Sequence, residues 1–301
     1  MLLVLEQALN GLQYGALLFL LAAGLTLVFG VMNVINLTHG SFYMVGAFAA
    51  AFTVAQTGSF LLAAFAAVTA GALYALLAEV LVIQHLYRRS HLDQVLATFG
   101  LTLFTNELVS LLFGRTPPFV DIPPLLRGSV ELVPGLSYPL MRLAFIAAGA
   151  LVGVGLWLLI NRTRLGMLVR AGADDPEMVD ALGVDTRRLF AGVFALGGLL
   201  CGFAGVMAAP LLAVEIGMGE RILITTFVVI VVGGVGSVKG AALGALLVGM
   251  SDALGRALIP GAVAGLLPAT MADTVAGGLV SATTFLLMVL VLLVRPRGLV
   301  G

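Results

Sequence analysis

The chain has 301 residues, of which 61% are hydrophobic and only 10% are charged, and its 15 basic and 15 acidic residues give no formal net charge. Ordinary soluble domains carry about 25% charged residues, so this composition excludes a water-soluble protein and gives no reason to expect a nucleic-acid partner. Apolar runs of about 20 residues, the length that crosses a bilayer core, recur along the whole chain without period-two alternation. The prediction is an all-α, polytopic helical membrane bundle in which residues 1–301 form a single domain.

Nine apolar segments are candidates for membrane-spanning helices. They occupy residues 9–31, 41–56, 60–84, 95–113, 139–160, 189–214, 222–236, 240–259 and 274–294. The seventh segment is short, and Gly233, Gly234 and Gly236 interrupt it where a broken or re-entrant helix would fit. We therefore predict eight or nine crossings.

The basic residues predict how these segments are oriented, because short loops rich in Lys and Arg stay on the cytoplasmic side. Nine of the 15 fall in three regions, namely Arg88 and Arg89, then Arg162, Arg164, Arg170, Arg187 and Arg188, then Arg295 and Arg297. If all nine segments cross, these regions lie inside, with the N-terminus outside and the C-terminus inside. Residues 114–138, which contain five prolines, then form an extended loop on the outer face.

The first polar interruption is NVINLTHG at residues 33–40, between the first two segments. It would hold Asn33, Asn36, Thr38 and His39 near a membrane boundary, where polar side chains must be satisfied by protein, water, ion or substrate. One interpretation is structural: the asparagines cap helices and the imidazole bonds a backbone carbonyl. The other is functional: these side chains form a polar gate along a transport path.

Ionisable side chains inside apolar segments are costly and are therefore candidates for function. Glu79 and Glu107 are two such carboxylates. We expect Glu107, which is nearly mid-span, to lie inside the bundle, either hydrogen-bonded within the helical packing or exposed to the transport path. Asp252 stands four residues before Arg256, which is the spacing of a helical ion pair. We interpret that pair as structural.

Neither a metal site nor a cofactor is expected. The three histidines, His39, His85 and His91, are scattered, and we find no set of carboxylates or cysteines at ligand spacing around them. The single cysteine, Cys201, lies in an apolar run and is interpreted as a small packing residue. No phosphate-binding loop, nucleophile elbow or pair of catalytic acids is recognisable, so the chain is not expected to be an enzyme.

A short helix is predicted at about 175–182, within the long polar stretch of residues 161–190. Acidic residues crowd its start, where the helix dipole favours anions, and Gly183 supplies the stop. The acidic residues are Asp174, Asp175 and Glu177, and an apolar stripe follows at Met178, Ala181 and Leu182. The helix either lies on lipid headgroups or docks a cytoplasmic partner, and docking is favoured because anionic lipid would repel the acidic residues.

Residues 161–205 also carry short motifs in a fixed order. The motifs are Arg164-Leu165-Gly166, Arg170-Ala171, Ala181-Leu182-Gly183, Arg187-Arg188, Gly197-Gly198 and Gly202-Phe203-Ala204-Gly205. Four further blocks lie at residues 10–16, 33–46, 233–240 and 295–298. In the order and spacing of these blocks, the chain resembles the permeases of ABC importers, and specifically the branched-chain amino acid permeases of the LivH and LivM type, with LivH the nearer.

The resemblance implies a membrane subunit of an ATP-driven importer in a bacterial inner membrane. Two separate cytoplasmic ATP-binding subunits would push on a coupling loop at residues 161–190, beside a second, related permease, and a periplasmic binding protein would deliver the substrate. The coupling residues would be Arg170, Ala171, Asp174, Asp175, Glu177, Met178, Ala181, Leu182 and Gly183. Thr38 and Ser41 depart from the family's usual alanine and acidic residue, which leaves the substrate open among branched-chain amino acids and related small polar solutes.

Gly236, Gly240 and Gly244 recur every four residues. On a helix this spacing would line one face with hydrogen atoms and let a neighbouring backbone approach closely. Packing within the chain is one use of such a face, and a seam with the second permease is the other.

Three other functions compete with the importer of amino acids. The first is an ABC importer permease for urea or an amide. The second is an ion-coupled secondary transporter, with Glu79 and Glu107 as coupling sites, and the third is a passive channel for a neutral solute. The loop at residues 161–190 argues against a secondary transporter, because such a protein needs no surface for an ATPase.

Overall fold

The structure, a computed structural model, describes residues 2–87, 89–265 and 268–300, so the predicted cytoplasmic Arg88 lies outside the described residues. The chain is all-α apart from one hairpin. Its helices are α1 (Leu2–Met32), α2 (His39–Thr57), α3 (Phe60–Leu81), α4 (His91–Phe113), α5 (Leu140–Arg162), α6 (Arg164–Asp174), α7 (Pro176–Ala181), α8 (Thr186–Ala208), α9 (Met218–Gly233), α10 (Val238–Ala264) and α11 (Ala269–Val294). The strands are β1 (Ser129–Val133) and β2 (Leu136–Pro139), and short 3-10 turns occupy Ile83–Leu86 and Pro124–Leu126.

Each of the nine predicted apolar segments contains most of one of these helices. Within the described ranges, seven helices are long and apolar enough to cross a membrane: α1, α3, α4, α5, α8, α10 and α11. The other two are α2, which begins with polar residues, and α9, whose 16 residues extend only about 24 Å at 1.5 Å per residue. The protein is a multi-pass membrane protein, and eight or nine remains an approximate count of its crossings.

The chain forms two compact units. The first unit contains Met1–Phe19, Pro124–Ala150 and Thr225–Gly301, and the second contains Leu20–Pro123 and Leu151–Ile224. Three of the four boundaries between them fall inside α1, α5 and α9, and the fourth lies between Pro123 and Pro124 in the loop after α4.

Glycines bring the helices of the second unit into backbone contact. A Cβ added at Gly71 of α3 would lie 2.9 Å from the Cα of Gly202 in α8, and one added at Gly46 of α2 would lie 2.5 Å from the same atom. Gly198, one turn before Gly202, meets the backbone of Gly71 and the side chain of Ala75. Small residues at these points let three helices approach without intervening side chains.

The first unit contains a helix contact of the same design. A Cβ added at Gly15 of α1 would lie 2.9 Å from the carbonyl oxygen of Ala245 in α10, and one added at Gly249 would lie 2.7 Å from the Cα of Gly15. Gly11 completes the pair on α1. Both α1 and α8 therefore present a Gly-Leu-x-x-Gly sequence to an Ala-x-x-x-Gly sequence on the helix that they contact.

The three glycines expected on one helix face divide between a helix and a turn. Gly240 and Gly244 lie in α10 and meet the backbone of Gly233 and Val229 in α9. Gly236 precedes α10, in a turn where its φ is +83°. The expectation that Gly236 shares the helix face is corrected, because a positive φ is a turn conformation and breaks the helical spacing.

The proline-rich loop folds into a hairpin tied to α1. Strands β1 and β2 pair antiparallel, and the hydroxyl of Tyr138 donates to Asn10 Oδ1 at 3.1 Å. The guanidinium of Arg142 donates to the same oxygen. Burial raises the pKa of Tyr138, against the opposing effect of Arg142, so the phenol remains a hydrogen-bond donor.

Candidate functional site

The connection between α1 and α2 contains the asparagines expected either to cap helices or to line a path. Asn33 has a φ of +51°, and its N–H donates to the carbonyl of Phe29 at 2.8 Å, so it ends α1 in the left-handed conformation that asparagine tolerates. Asn36 Oδ1 accepts a bond of 2.9 Å from the N–H of Thr38, which makes a local turn. Asn33 therefore stands at a helix end, as the structural interpretation expects, whereas Asn36 forms a turn before α2 and caps no helix.

A polar stripe on α4 holds this connection in place. The N–H of Ile35 donates to Gln94 Oε1 at 3.2 Å, and the N–H of Leu37 donates to Thr98 Oγ1 at 3.2 Å. The hydroxyl of Thr38 donates in turn to the carbonyl of Thr98 at 2.9 Å. The connection thus satisfies much of its irregular backbone on the side chains of a neighbouring helix, as an intramembrane loop must.

His39, the first residue of α2, is fully buried. Its Nε2 lies 3.0 Å from the carbonyl oxygen of Leu21, and because a carbonyl can only accept, Nε2 carries the proton and Nδ1 of the neutral ring is an acceptor. Cys201 Sγ lies 3.2 Å from the same Nε2. Sequence analysis did not foresee this neighbour, because the two residues are 162 positions apart.

Polar atoms without partners are concentrated at the start of α2. Among the described residues, Asn36 Nδ2, His39 Nδ1 and Ser41 Oγ are buried and have no hydrogen-bond partner, and no side chain caps the helix at Thr38. An unsatisfied buried donor or acceptor costs about 1–3 kcal/mol. Several such groups within six residues are unusual and call for an explanation.

The start of α9 meets the start of α2 in the second unit. Gly40 and Gly219 touch backbone to backbone, since a Cβ on either would overlap the carbonyl oxygen of the other. Next to this contact, the Asn106 side-chain amide of α4 donates to Glu220 Oε1. Neither Gly219 nor Glu220 was selected from the sequence, where they stand in an unremarkable stretch before an apolar run.

Glu107 does not lie in the packed interior, so of its two expected placements only exposure to a transport path stays a prediction. Its side chain is 77% exposed and its carboxylate is 3.9 Å from the Arg115 guanidinium, because it faces away from the buried threonines of α4. It lines a cavity of about 390 Å³ together with Ser110, Arg115, Pro117, Glu215 and Ile216. Arg221 forms a second ion pair with Glu215 at this cavity.

Glu79 is the buried carboxylate of the second unit. It is 2% exposed and accepts a bond of 2.6 Å from the hydroxyl of Tyr87. Burial, together with this hydrogen bond, raises the pKa of Tyr87 well above its ordinary value. The tyrosine therefore stays protonated and keeps the carboxylate paired.

The polar stretch after α5 forms two short helices, α6 and α7, and α7 matches the short helix predicted at about 175–182. Asp175 caps α7 by accepting a bond of 2.9 Å from the N–H of Met178, and Gly183 ends it with a φ of +85°. Arg170 of α6 donates to the carbonyl of Ile160. Asp174, Glu177 and Ala181 are exposed, whereas Ala171 is half-buried.

The apolar stripe of α7 faces away from the rest of the chain. Met178 is 57% exposed and Leu182 is 75% exposed, whereas Val179, on the other face of the same helix, is 5% exposed. Met178 lies in, and Leu182 directly follows, a helix that is too short and too polar to enter the membrane. They form a small apolar surface without a partner among the described residues.

Comparison with known proteins gives one consistent family. Residues 7–294 match the family described as the permease component of the branched-chain amino acid transport system. The chain is 32% identical to the high-affinity branched-chain amino acid transport system permease protein BraD of Pseudomonas aeruginosa, over 99% of this chain and 95% of that protein.

Two further relatives extend the match across distant organisms. The chain is 29% identical to the LivH permease of Escherichia coli, over 99% of this chain and 95% of that protein. It is 27% identical to a probable branched-chain amino acid transport permease protein LivH of Methanocaldococcus jannaschii, over 96% of this chain and 90% of that protein. No solved structure matches the chain. The chain belongs to the family of branched-chain amino acid transport system permease components.

Proposed function

We propose that the protein is the membrane-spanning permease subunit of an ABC importer that carries branched-chain amino acids across the inner membrane of a bacterium. The observation that carries the proposal is the match of residues 7–294 to a permease family, together with relatives of that function aligned over nearly the whole chain. The chain itself performs no chemistry in this function. It provides a route through the membrane and a surface on which partners act.

The exposed stripe of α7 supports a docking role for residues 161–190. Met178, Ala181 and Leu182 are apolar and exposed, and hydrophobic side chains of this kind are stabilised when a partner covers them. In the proposed assembly, two cytoplasmic ATP-binding subunits bind such helices, one on this chain and one on a second, related permease. A periplasmic binding protein delivers the amino acid to the opposite face.

The polar start of α2 supports a place on the transport path. Asn33, Asn36, Thr38 and His39 keep the role of path residues in this proposal, and the last three are completely buried. Glu107 belongs to the path at its outer cavity, as an exposed carboxylate rather than a packed one.

The test is reconstitution of the permease with its second permease, ATP-binding subunits and binding protein in sealed proteoliposomes. Uptake of labelled leucine, isoleucine or valine should require ATP, the binding protein and this chain. A vesicle in which this chain is omitted is the matched control. Uptake driven by an ion gradient in the absence of ATP would contradict the importer mechanism. Uptake of urea or an amide, but not of branched-chain amino acids, would show that the substrate is a different one.

A further inference from the structure

The crossing of α2 and α9 joins two helices that begin inside the second unit after irregular connections. The connection before α2 follows α1, and the connection before α9 follows α8, and α1 and α8 carry the same Gly-Leu-x-x-Gly sequence. The two helix starts touch at Gly40 and Gly219. The residues immediately after these glycines are Ser41 and Glu220, a hydroxyl on one side of the contact and a carboxylate on the other.

The α2 side of the crossing offers hydrogen-bond donors. The Ser41 N–H already donates to the carbonyl of Thr38 at 2.8 Å, so the donors that remain in the first turn of α2 are the N–H groups of His39 and Gly40. They lie at the positive end of the helix dipole. Within the described chain, no side chain caps α2, and Thr38 has helical φ and ψ of −71° and −9° rather than the extended conformation of a capping residue. Asn36 Nδ2 and Ser41 Oγ add two buried polar groups without partners there. This arrangement suits a carboxylate ligand.

The α9 side offers acceptors. Glu220 Oε1 accepts a bond from Asn106 Nδ2, which leaves further lone pairs on the carboxylate. Asn106 Oδ1 is buried and has no partner in the described part of the chain. None of the described ion pairs includes Glu220. An oxygen-rich site with an uncompensated carboxylate suits an ammonium group.

We propose that the α2–α9 crossing is a recognition site for the zwitterionic end of an α-amino acid. The α2 start and Ser41 bind the carboxylate, and Glu220 with Asn106 Oδ1 binds the ammonium group. This inference rests on the proposed function and deepens it by naming where the substrate is recognised. An α-amino acid carries both charges on one carbon, and so matches donors at one helix start and acceptors at the other, where the two starts touch at Gly40 and Gly219.

The physical reason for such a site lies in the balance of charge. A single charge is expensive within the membrane, whereas a zwitterion brings both signs, and each finds its complement at low dielectric where hydrogen bonds are strong. Buried polar groups that lack partners in the empty protein gain them when the ligand binds. Urea and simple amides have no carboxylate, and so would leave the α2 start unsatisfied.

The test uses the complete transporter in proteoliposomes, with loaded binding protein at saturation so that delivery does not limit the rate. Glu220→Gln removes the acceptor charge and Ser41→Ala removes the free hydroxyl. Loss of one hydrogen bond to a charged group should lower ATP-driven leucine uptake about tenfold to a hundredfold in each variant. Asp121→Asn, the same kind of change at an exposed loop position, should leave uptake unchanged.

If these side chains had only a structural role, their substitution would change the stability of the protein and not its transport rate. Ser41→Ala should not lower the unfolding temperature, because the hydroxyl that it removes has no partner in the empty protein. Glu220→Asp, which retains the charge, should recover part of the uptake that Glu220→Gln loses. In the wild-type complex without its binding protein, leucine should raise the unfolding temperature of this chain, and leucinol and 4-methylpentanoate, which each lack one charged group, should not.

Failure of this site and failure of the proposed function give different results. If the wild-type complex imports no branched-chain amino acid, the proposed function fails. If it imports leucine while Glu220→Gln and Ser41→Ala import it at the wild-type rate, the zwitterion site is wrong. An equal rise in unfolding temperature with leucinol would show that the site does not recognise the carboxylate. An equal rise with 4-methylpentanoate would show that it does not recognise the ammonium group.

Discussion

The start of α2 and the helix α7 reverse the usual placement of polar and apolar groups in opposite ways. At the start of α2, Asn36, His39 and Ser41 are polar and completely or almost completely buried, whereas Met178 and Leu182 of α7 are apolar and exposed. A folded chain does not gain stability from either arrangement by itself. Under the proposed function, this difference means that the two regions await different partners, a small polar solute for the first and an apolar protein surface for the second.

The largest effect is expected when charge is introduced into the exposed stripe. The double change Ala181→Glu and Leu182→Glu should abolish ATP-driven uptake, since two unpaired charges buried at a docking surface cost several kcal/mol and each 1.4 kcal/mol is tenfold in binding. Uptake and co-purification of the ATP-binding subunits are the measurements. Asp180→Asn, at an exposed position of the same helix that is not among the coupling residues, is the control. Normal uptake in the double variant would show that α7 is not the docking surface.

Docking of ATP-binding subunits on α7 also requires α7 to lie on the cytoplasmic side and the hairpin on the outer side. In a Cys201→Ser background, a cysteine replacing Ala173 should react with an impermeant thiol reagent only after lysis. A cysteine replacing Ser129 of β1 should react in intact cells, and both positions are exposed. The opposite labelling pattern would place α6 and α7 outside, where no ATPase reaches them.

A smaller effect is expected when a buried polar group that has a partner loses it, because such a change should affect stability and not transport. Tyr87→Phe removes the hydroxyl that donates to Glu79 at 2.6 Å, and leaving that buried carboxylate unpaired should lower the free energy of unfolding by about 1–3 kcal/mol. Uptake per folded protein should stay near wild type, in contrast to Ser41→Ala. Thermal unfolding in nanodiscs measures the change, with Leu61→Ala, at an exposed position of α3, as the reference. An unchanged unfolding temperature for Tyr87→Phe would mean that the Glu79 carboxylate finds another donor.

The smallest effect is expected where a polar pair is already satisfied at the surface. Arg256 binds both carboxylate oxygens of Asp252, at 2.7 and 3.1 Å, but its side chain is 67% exposed. Asp252→Asn should therefore change the free energy of unfolding by less than about 1 kcal/mol. The same unfolding assay provides the measurement, and a loss as large as that of Tyr87→Phe would show that this pair matters to the packing.

Local features of the fold were predictable from the sequence because they depend on neighbours in the chain. The apolar runs predicted each long helix, and the spacing of Asp175 and Gly183 predicted the bounds of α7 to within one residue. The Asp252 and Arg256 pair, at helical spacing, is present as expected. Composition and short-range pattern are sufficient for such features.

The candidate site was only partly predictable because its contacts join distant segments. The pairs His39 with Cys201 and Asn106 with Glu220 are separated by 162 and 114 residues, and no local pattern indicates which residues meet. Glu107 was placed inside because its depth was judged from the segment alone, without the direction in which it faces. The repeated Gly-Leu-x-x-Gly sequence at Gly11 and Gly198 was a visible signal that α1 and α8 use the same contact.

The glycine contact between α3 and α8 also affects how easily these helices can shift against each other. Where Gly71 meets Gly198 and Gly202, backbone lies on backbone, and a Cβ at Gly198 would overlap the Cβ of Ala75. Sliding one helix along the other by a residue would therefore bring a side chain into a gap that holds only glycine. The contact fixes the register of the two helices, so a conformational change in the second unit would carry α3 and α8 together as one rigid pair next to its buried polar groups.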